Sequence, residues 1–438
     1  MKKRRNTPVF GVQSTSVSGL WPALICLLFA TQSASVSADE LGNKLTLSTA
    51  LKRSLEKNPS LSVFSLRDIG LQGQLETAKL NPAYELGVEN ENFLGTGDFK
   101  TIDSAELTVS LSSSIEMGGK REARTGFYSQ SRYRLEAQRQ VESLALLGEV
   151  TRRYIDVLAA QARVVLASEA AELAMMTLRV VKNRAKAGST PEAEVKRAQA
   201  ASAQSQLTLL SEQQQLSYLK VALAAFWGDT SPGFTEVSGD LFSFGQDVEF
   251  PILYEKVEQN PAIQVFAAEE RLRDSEVRLA KTESRSDFNW SVGVRRLQES
   301  SDSAIVAGFS LPLFSAKRNS GAISAALASR DEVFIQKEVA LLRIHTRLFR
   351  AFSNRKQAII SALQLQNEIV PALEEALKQT QQAYERGRYS YLEYVTARQE
   401  LLSARLTLIE SAAAALTFGA EIEQLTAEPL AASHYLAP

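Results

Sequence analysis

The sequence predicts a mostly α protein with a small β part, built as an internal duplication, and three observations carry that prediction. Two very long stretches, residues 120–187 and 319–385, are almost free of helix breakers. Four runs of about ten residues alternate apolar and polar side chains, the length and period of a strand with one greasy and one wet face. Related segments recur at an offset of about 200 residues.

Residues 1–38 read as a targeting signal. Lys2, Lys3, Arg4 and Arg5 form a cationic start, Leu20 to Ala30 an apolar core, and Val36-Ser37-Ala38 a small-residue cleavage point. An apolar run of about 11 residues is too short to span a bilayer, which needs roughly 20. The sole cysteine, Cys26, lies in this segment, and Ile25 before it is not the small residue that lipid attachment would want. Removing the segment leaves 45 basic against 50 acidic residues, a net charge of −5. A mature chain without thiols has no disulfide, thiolate metal site or cysteine nucleophile. No basic stripe points to nucleic acid. No other segment resembles a transmembrane helix, so any membrane crossing is expected to use β-strands.

The first repeat is expected over 39–240. It holds a helix, strands at about 83–93 and 104–114, a helix from Lys120 to Ala187 and a return helix from Pro191 to Trp227. Tyr84, Leu86 and Val88 share one strand face; Leu107, Val109 and Leu111 repeat the pattern. At ~1.5 Å per residue the long helix would reach on the order of 100 Å.

The second repeat, 241–438, has the same order. Gln259-Asn260-Pro261-Ala262-Ile263 echoes Lys57-Asn58-Pro59-Ser60-Leu61, and Lys317-Arg318 echoes Lys120-Arg121. Strands are expected at about 287–297 and 304–313, with Phe288, Trp290, Val292 and Val294 on one face of the first. The following helix runs from about Asn319 to Glu385, and Pro371 is expected to kink or split it. In the last helix Leu392, Val395, Gln399, Leu402, Leu406, Ile409, Ala413 and Leu416 form a coiled-coil seam with one polar position. Four strands cannot close a barrel, and an open edge cannot face lipid, so a membrane reading requires an oligomer. Two copies would supply eight strands and three copies twelve; alternation does not choose between them. A soluble coiled-coil protein is the competing reading, and it leaves the amphipathic strands unexplained.

The helical reversals fall at Gly188 and Gly387, which can supply a left-handed conformation. Thr190 is placed as a cap with Pro191 at the first helical position, and Ser390 as the cap of the last helix. Metal and catalytic sets are absent from the sequence pattern. His345 and His434 are isolated, and Met117, Met175 and Met176 form no soft-ligand cluster. Glu89, Glu91 and Arg295 fit a barrel lumen or an ordinary solvated surface equally well. No nucleophile–base set or phosphate-binding glycine loop is present, so neither an enzyme nor a cofactor is expected.

Taken with the duplication, Val88-Glu89-Asn90-Glu91-Asn92-Phe93, Ile115-Glu116-Met117-Gly118-Gly119-Lys120-Arg121 and Leu311-Pro312-Leu313-Phe314 give a chain that resembles the TolC family of outer-membrane efflux proteins. The resemblance is to the branch serving cobalt–zinc–cadmium and related cation pumps. Ser113-Ser114 stand where that branch usually has Gln-Pro. The resemblance implies a homotrimer in the outer membrane of a Gram-negative cell, with four strands per chain in one twelve-stranded transmembrane β-barrel. A long α-helical barrel would continue it through the periplasm, with an equatorial region near residues 228–255 and the C-terminal tail. It also implies a periplasmic adaptor and an inner-membrane RND-type pump as partners, and outer-membrane lipid around the barrel. Cargo would be heavy-metal cations, conducted passively. Drugs, type I protein secretion and a pore-less periplasmic scaffold are the alternatives.

By the same resemblance Tyr384 to Glu393 form the periplasmic entrance. Gly188, Ser189, Thr190, Gly387, Arg388, Tyr389 and Ser390 would be the tips an adaptor contacts. Glu393 falls where the family places an acidic ring, while Thr396 stands at its second acidic position. Tyr384 and Glu194 are expected to hydrogen-bond and hold the entrance shut.

Overall fold

A computed structural model describes residues 44–428. The targeting signal, His434 and the tail beyond 428 lie outside the described residues.

The chain opens with β1 (Lys44–Leu45), α1 (Leu47–Lys57) and α2 (Pro59–Ala78). The first hairpin is β2 (Glu85–Glu91) and β3 (Glu106–Ile115), followed by α3 (Lys120–Lys186) and its return helix α4 (Glu192–Ala224). After β4 (Glu236–Val237) come α5 (Phe250–Glu255), α6 (Pro261–Glu283) and a second hairpin, β5 (Phe288–Leu297) and β6 (Ser303–Ser310). A short turn α7 (Ser315–Arg318) leads to α8 (Ser320–Gln364), then α9 (Val370–Glu385) and α10 (Tyr391–Thr426). The protein is therefore mostly helical with a small sheet.

The repeated Asn-Pro pair explains two helix starts. Asn58 and Asn260 each accept a backbone N–H two residues on, with proline at the first helical position. Each side-chain amide then ties that start to the end of a return helix. Asn58 donates to the Phe226 carbonyl (2.8 Å), and Asn260 to those of Gln424 and Leu425 (2.9 Å each).

The four long strands form one antiparallel sheet in the order β2-β3-β5-β6. The helices joined to them pack in the same order: α2 on α3, α3 on α6, α6 on α8. Strands and helices thus make one continuous wall whose free edges are β2 with α2 on one side and β6 with α8 on the other. Away from the sheet, α3 packs against α4 and α10, and α10 against α8 and α9. Between these regions β1 pairs in parallel with β4, and the buried Tyr154 hydroxyl donates to the Leu45 carbonyl at 2.8 Å. That belt also holds a core including Val150, Tyr154, Leu223, Trp227 and Phe234.

The helix expected over 319–385 is split just before Pro371. Residues Leu365–Ile369 form a π-helical turn, and Pro371 enters α9 within its first two residues. The wider turn takes up the missing N–H and the bulk of the ring, which an α-helical interior tolerates poorly. α3 runs 67 residues with no such break.

Two expectations about α10 need correction. It is long and apolar enough to span a bilayer by length and composition, contrary to the expectation that no such helix follows the signal. Its apolar length packs on α3, α8 and α9. The expected seam is also displaced near the tip. Tyr391, Tyr394, Arg398 and Leu401 are buried, whereas Leu392 is 67% exposed and Gln399 and Leu406 are also exposed. Leu402 and Leu406 instead line a groove with Leu166 and Ala167 of α3 and Thr208 of α4. α10 therefore has one apolar stripe used within the chain and a second beside it.

Candidate functional site

The two helical reversals use one backbone device. Gly188 and Gly387 both have φ +74°, and in each tip the next residue's N–H bonds a carbonyl five residues back. Ser189 bonds Arg184 and Arg388 bonds Ala383, each at 2.9 Å. This is the Schellman closure, which favours glycine because it has no Cβ to clash at positive φ.

The outgoing helices start differently. Ser390 and Glu393 form a reciprocal capping box at α10. The Glu393 carboxylate accepts from the Ser390 N–H (2.6 Å) and hydroxyl (2.8 Å), and the Ser390 Oγ accepts from the Glu393 N–H (3.3 Å). At α4 the expected Thr190 cap is not seen. Pro191 occupies the cap position with an extended backbone (ψ 148°), and no side chain caps the helix. A proline before Glu192 presets that extended-to-helical step without a hydroxyl.

Glu393 is exposed, and its carboxyl is held below the ordinary glutamate range, first by the Ser390 N–H and then by the Ser390 hydroxyl. It is ionised at neutral pH and folded back on its own helix start.

Tyr384 is buried, and among the described residues its hydroxyl makes no hydrogen bond of good geometry; the expected bond to Glu194 is not formed, and the polar side chain that acts on the hydroxyl is that of Thr190. Its ring is the engaged part. The Arg184 guanidinium lies 4.5 Å from the ring centre, and the Tyr394 ring stacks at 5.6 Å with 10° between planes. Arg184 also donates to the Tyr384 carbonyl, closing the last turn of α9 from the neighbouring arm. Tyr394 in turn shares a hydrogen bond with Thr177 of α3 (3.1 Å). Burial raises the Tyr384 phenol above its usual range; the Glu194 charge adds to this and Arg184 opposes it. Glu194 is half-buried in the first turn of α4 and acts on Tyr384 through its charge alone.

The remaining expected tip residues Gly188, Ser189, Gly387, Arg388, Tyr389 and Ser390 are exposed, and Thr190 is half-buried. Sequence reasoning missed Arg184, Tyr394 and Thr177. The available signal was a basic residue four positions before the first tip glycine, opposite an aromatic-rich second tip.

The sheet's register gives it two chemically distinct faces. Leu86↔Leu111↔Val292↔Ala307 and Val88↔Val109↔Val294↔Ile305 run across one face. Most of these side chains are exposed although apolar, as a lipid-facing surface requires. The opposite face carries Glu85, Glu89, Glu91, Glu106, Thr108 and Arg295. Arg295 pairs with Glu106 (2.8 Å) and Glu91 (3.2 Å) and donates to the Thr108 hydroxyl (3.0 Å). This face is crowded: a Cβ at Gly293 would lie 2.5 Å from the Val109 carbonyl oxygen.

Among the described residues no group of three or more His, Cys, Asp or Glu side chains could hold a metal ion. His345 packs edge-on against Tyr254 (4.8 Å) and Phe250 (5.4 Å) in an aromatic cluster.

Residues 51–229 and 252–428 match a family described as outer membrane efflux protein. The cobalt-zinc-cadmium resistance protein CzcC of Cupriavidus metallidurans is 26% identical over 370 residues, covering 84% of this chain and 86% of its own length. The nickel-cobalt-cadmium resistance protein NccC of Alcaligenes xylosoxydans is 26% identical over 348 residues, covering 77% and 74%. The CmeC outer membrane channel of Campylobacter jejuni shares the fold with a TM-score of 0.71 at 16% identity, covering 89% of this chain and 86% of that one.

Proposed function

The chain belongs to the outer membrane efflux protein family, and from that premise we propose that it forms a homotrimeric conduit carrying heavy-metal cations out of the cell. It is an outer-membrane channel whose helices extend into the periplasm. The observation that carries the trimer is the pair of free edges on a two-faced wall. Unpaired N–H and C=O groups of β2 and β6 cannot face lipid, so each edge must be covered. β6 and β2 run in opposite senses, so β6 of one copy can extend the antiparallel sheet with β2 of the next, giving a head-to-tail ring. Eight strands enclose a space that side chains fill, whereas a conduit needs a wider barrel, and three copies supply twelve strands. The crowded polar face, rich in glycine and serine, suits the concave inside of such a barrel. The two family-matched stretches are read as copies of one ancestral unit.

In this assembly the tips form the periplasmic entrance. Residues 188–190 and 387–390 would meet an adaptor, which joins the conduit to an inner-membrane RND-type pump. Arg184 would clasp the second tip to the first, and three ionised Glu393 side chains near the axis would favour cations over anions. With no resident metal cluster among the described residues, cargo selection falls to the pump.

The cargo rests on relatives named for cobalt, zinc, cadmium and nickel resistance. The test is the cell-associated content of those four metals in a strain lacking the gene. The reading expects one or more to rise and to return to normal when the intact gene is restored. Unchanged metals with increased drug sensitivity would overturn the cargo and leave the channel standing.

A further inference from the structure

Phe314 stands out at the junction between sheet and helices. It is 83% exposed and has a left-handed backbone, φ +63°, where a bulky side chain is uncommon. The first hairpin meets its long helix with glycines at the left-handed positions, Gly118 (φ +81°) and Gly119 (φ +79°). Glycine at 314 would remove the strain, so the phenyl group needs a reason of its own. The adjoining backbone is pinned to the α6–β5 connection of the same chain: the Ser286 hydroxyl donates to the Pro312 carbonyl, and the Asn319 amide to the Glu283 carbonyl, both at 2.5 Å. Leu313 beside it is 67% exposed. At the opposite edge, between α2 and β2, Leu80 is 64% and Tyr84 72% exposed.

We infer that Phe314 of one copy packs into the Leu80–Tyr84 segment of the next, sealing the joint between copies where strands give way to helices. The inference rests on the head-to-tail ring proposed above. Because β6 and the neighbouring β2 are antiparallel, the end of β6 lies beside the start of β2. The exposed apolar groups at the two edges therefore come to one level. This joint has neither the ladder hydrogen bonds of the strands nor the long packed faces of the helices. A large side chain turned outward fills it and excludes water from the seam.

The test is disulfide trapping in outer membranes with Phe314→Cys combined with Leu80→Cys or with Tyr84→Cys. Phe314 and this pair of residues lie at opposite edges of one chain's wall, so a link between them must join two copies. Covalent dimers and trimers on a non-reducing gel are expected, and none from either single-cysteine variant, which also controls for Cys26. Phe309→Cys combined with Leu86→Cys or Val88→Cys tests the ring itself. If those strand pairs link and the Phe314 pairs do not, the ring stands and this contact is overturned. If none links, the ring and the contact fall together. Alkylation of Phe314→Cys by a lipid-soluble maleimide without any cross-link would assign the phenyl to lipid and also overturn the contact. Phe314→Gly suits the local backbone and should fold. A several-fold smaller fraction of detergent-resistant oligomer is expected from it, and an unchanged fraction would sink the inference.

Discussion

The arm made by α3 and α4 and the arm made by α8, α9 and α10 reach the same tip by different means. The first is one unbroken helix to Lys186, a turn closed by Gly188, and a return helix that starts at a proline with no side-chain cap. The second is interrupted by a π-helical turn before Pro371, ends in a tyrosine-rich segment, and restarts from a full capping box. The backbone of the reversal is the same; the chemistry sits on one side only. In this pair the first arm is the post and the second the part that is held, by Arg184 reaching across to the Tyr384 ring and carbonyl. A π-turn and Pro371 lie between this held tip and the long helix α8, so the regular hydrogen-bond ladder is interrupted in the second arm and not in the first.

The largest effect expected from breaking this asymmetry is at Arg184. A guanidinium over an aromatic ring contributes about 0.5–2 kcal/mol. A hydrogen bond from a charged donor adds about 1.5–3 kcal/mol. Arg184→Ala removes both in every copy, and single-channel conductance in planar bilayers should rise several-fold. Tyr384→Phe keeps the ring and removes only a hydroxyl that does not bond Glu194, so its conductance should stay close to the wild type. The reverse pattern, a silent Arg184→Ala and an opened Tyr384→Phe, would return the latch to the hydroxyl and Glu194.

The contrast also shows what the sequence could and could not disclose. Strand alternation gave the four long strands to within a few residues, because period-two patterning depends only on which face is apolar. Asn-Pro and Gly-Ser signals located helix starts and reversals for equally local reasons. The α10 seam went astray because leucine at 392 and 406 outranks tyrosine and arginine at 391, 394 and 398 on any scale of apolarity. The tip buries those larger amphipathic groups, with Tyr391 and Tyr394 sharing one core with Val181 of α3, Val195 of α4 and Tyr384 of α9. Arg184 was invisible for a related reason: its partner lies 200 residues away in the other arm. Thr190 outranked Pro191 as a cap because hydroxyls usually win that position, and proline's fixed φ served instead.

Smaller, and equal on the two sides, should be the cost of adding a Cβ at the tip glycines. Gly188 and Gly387 share φ +74°; nothing crowds a Cβ at the first, and only the end of Arg184 lies 4.0 Å away at the second. Gly188→Ala and Gly387→Ala should each cost about 1–2 kcal/mol of local stability, from the left-handed backbone alone. Hydrogen exchange of the tip amides should then quicken by roughly tenfold or more in both arms. A much larger effect at Gly387 would mean that the second turn is tuned to its Arg184 contact as well as to its backbone.

The smallest expected effect concerns the capping box, and its sign follows from the lowered pKa of Glu393. A carboxyl whose folded pKa lies below its unfolded value stabilises the fold fully above the unfolded value, about 4.3 for glutamate. That stabilisation fades as pH falls through the folded value. Protection of the first amides of α10 should therefore stay flat from pH 8 to about 5 and decline only in stronger acid. The start of α4 has no side-chain cap and should show no such step. Glu393→Gln keeps an acceptor and loses the charge, so it should abolish the acid-dependent step while leaving α10 helical. The same variant reports on the lumen. If three Glu393 carboxylates gather near the axis, the preference for potassium over chloride in reversal-potential measurements should drop. A flattened acid response with unchanged ion preference would leave Glu393 as a cap for its own helix and move the selectivity elsewhere in the conduit.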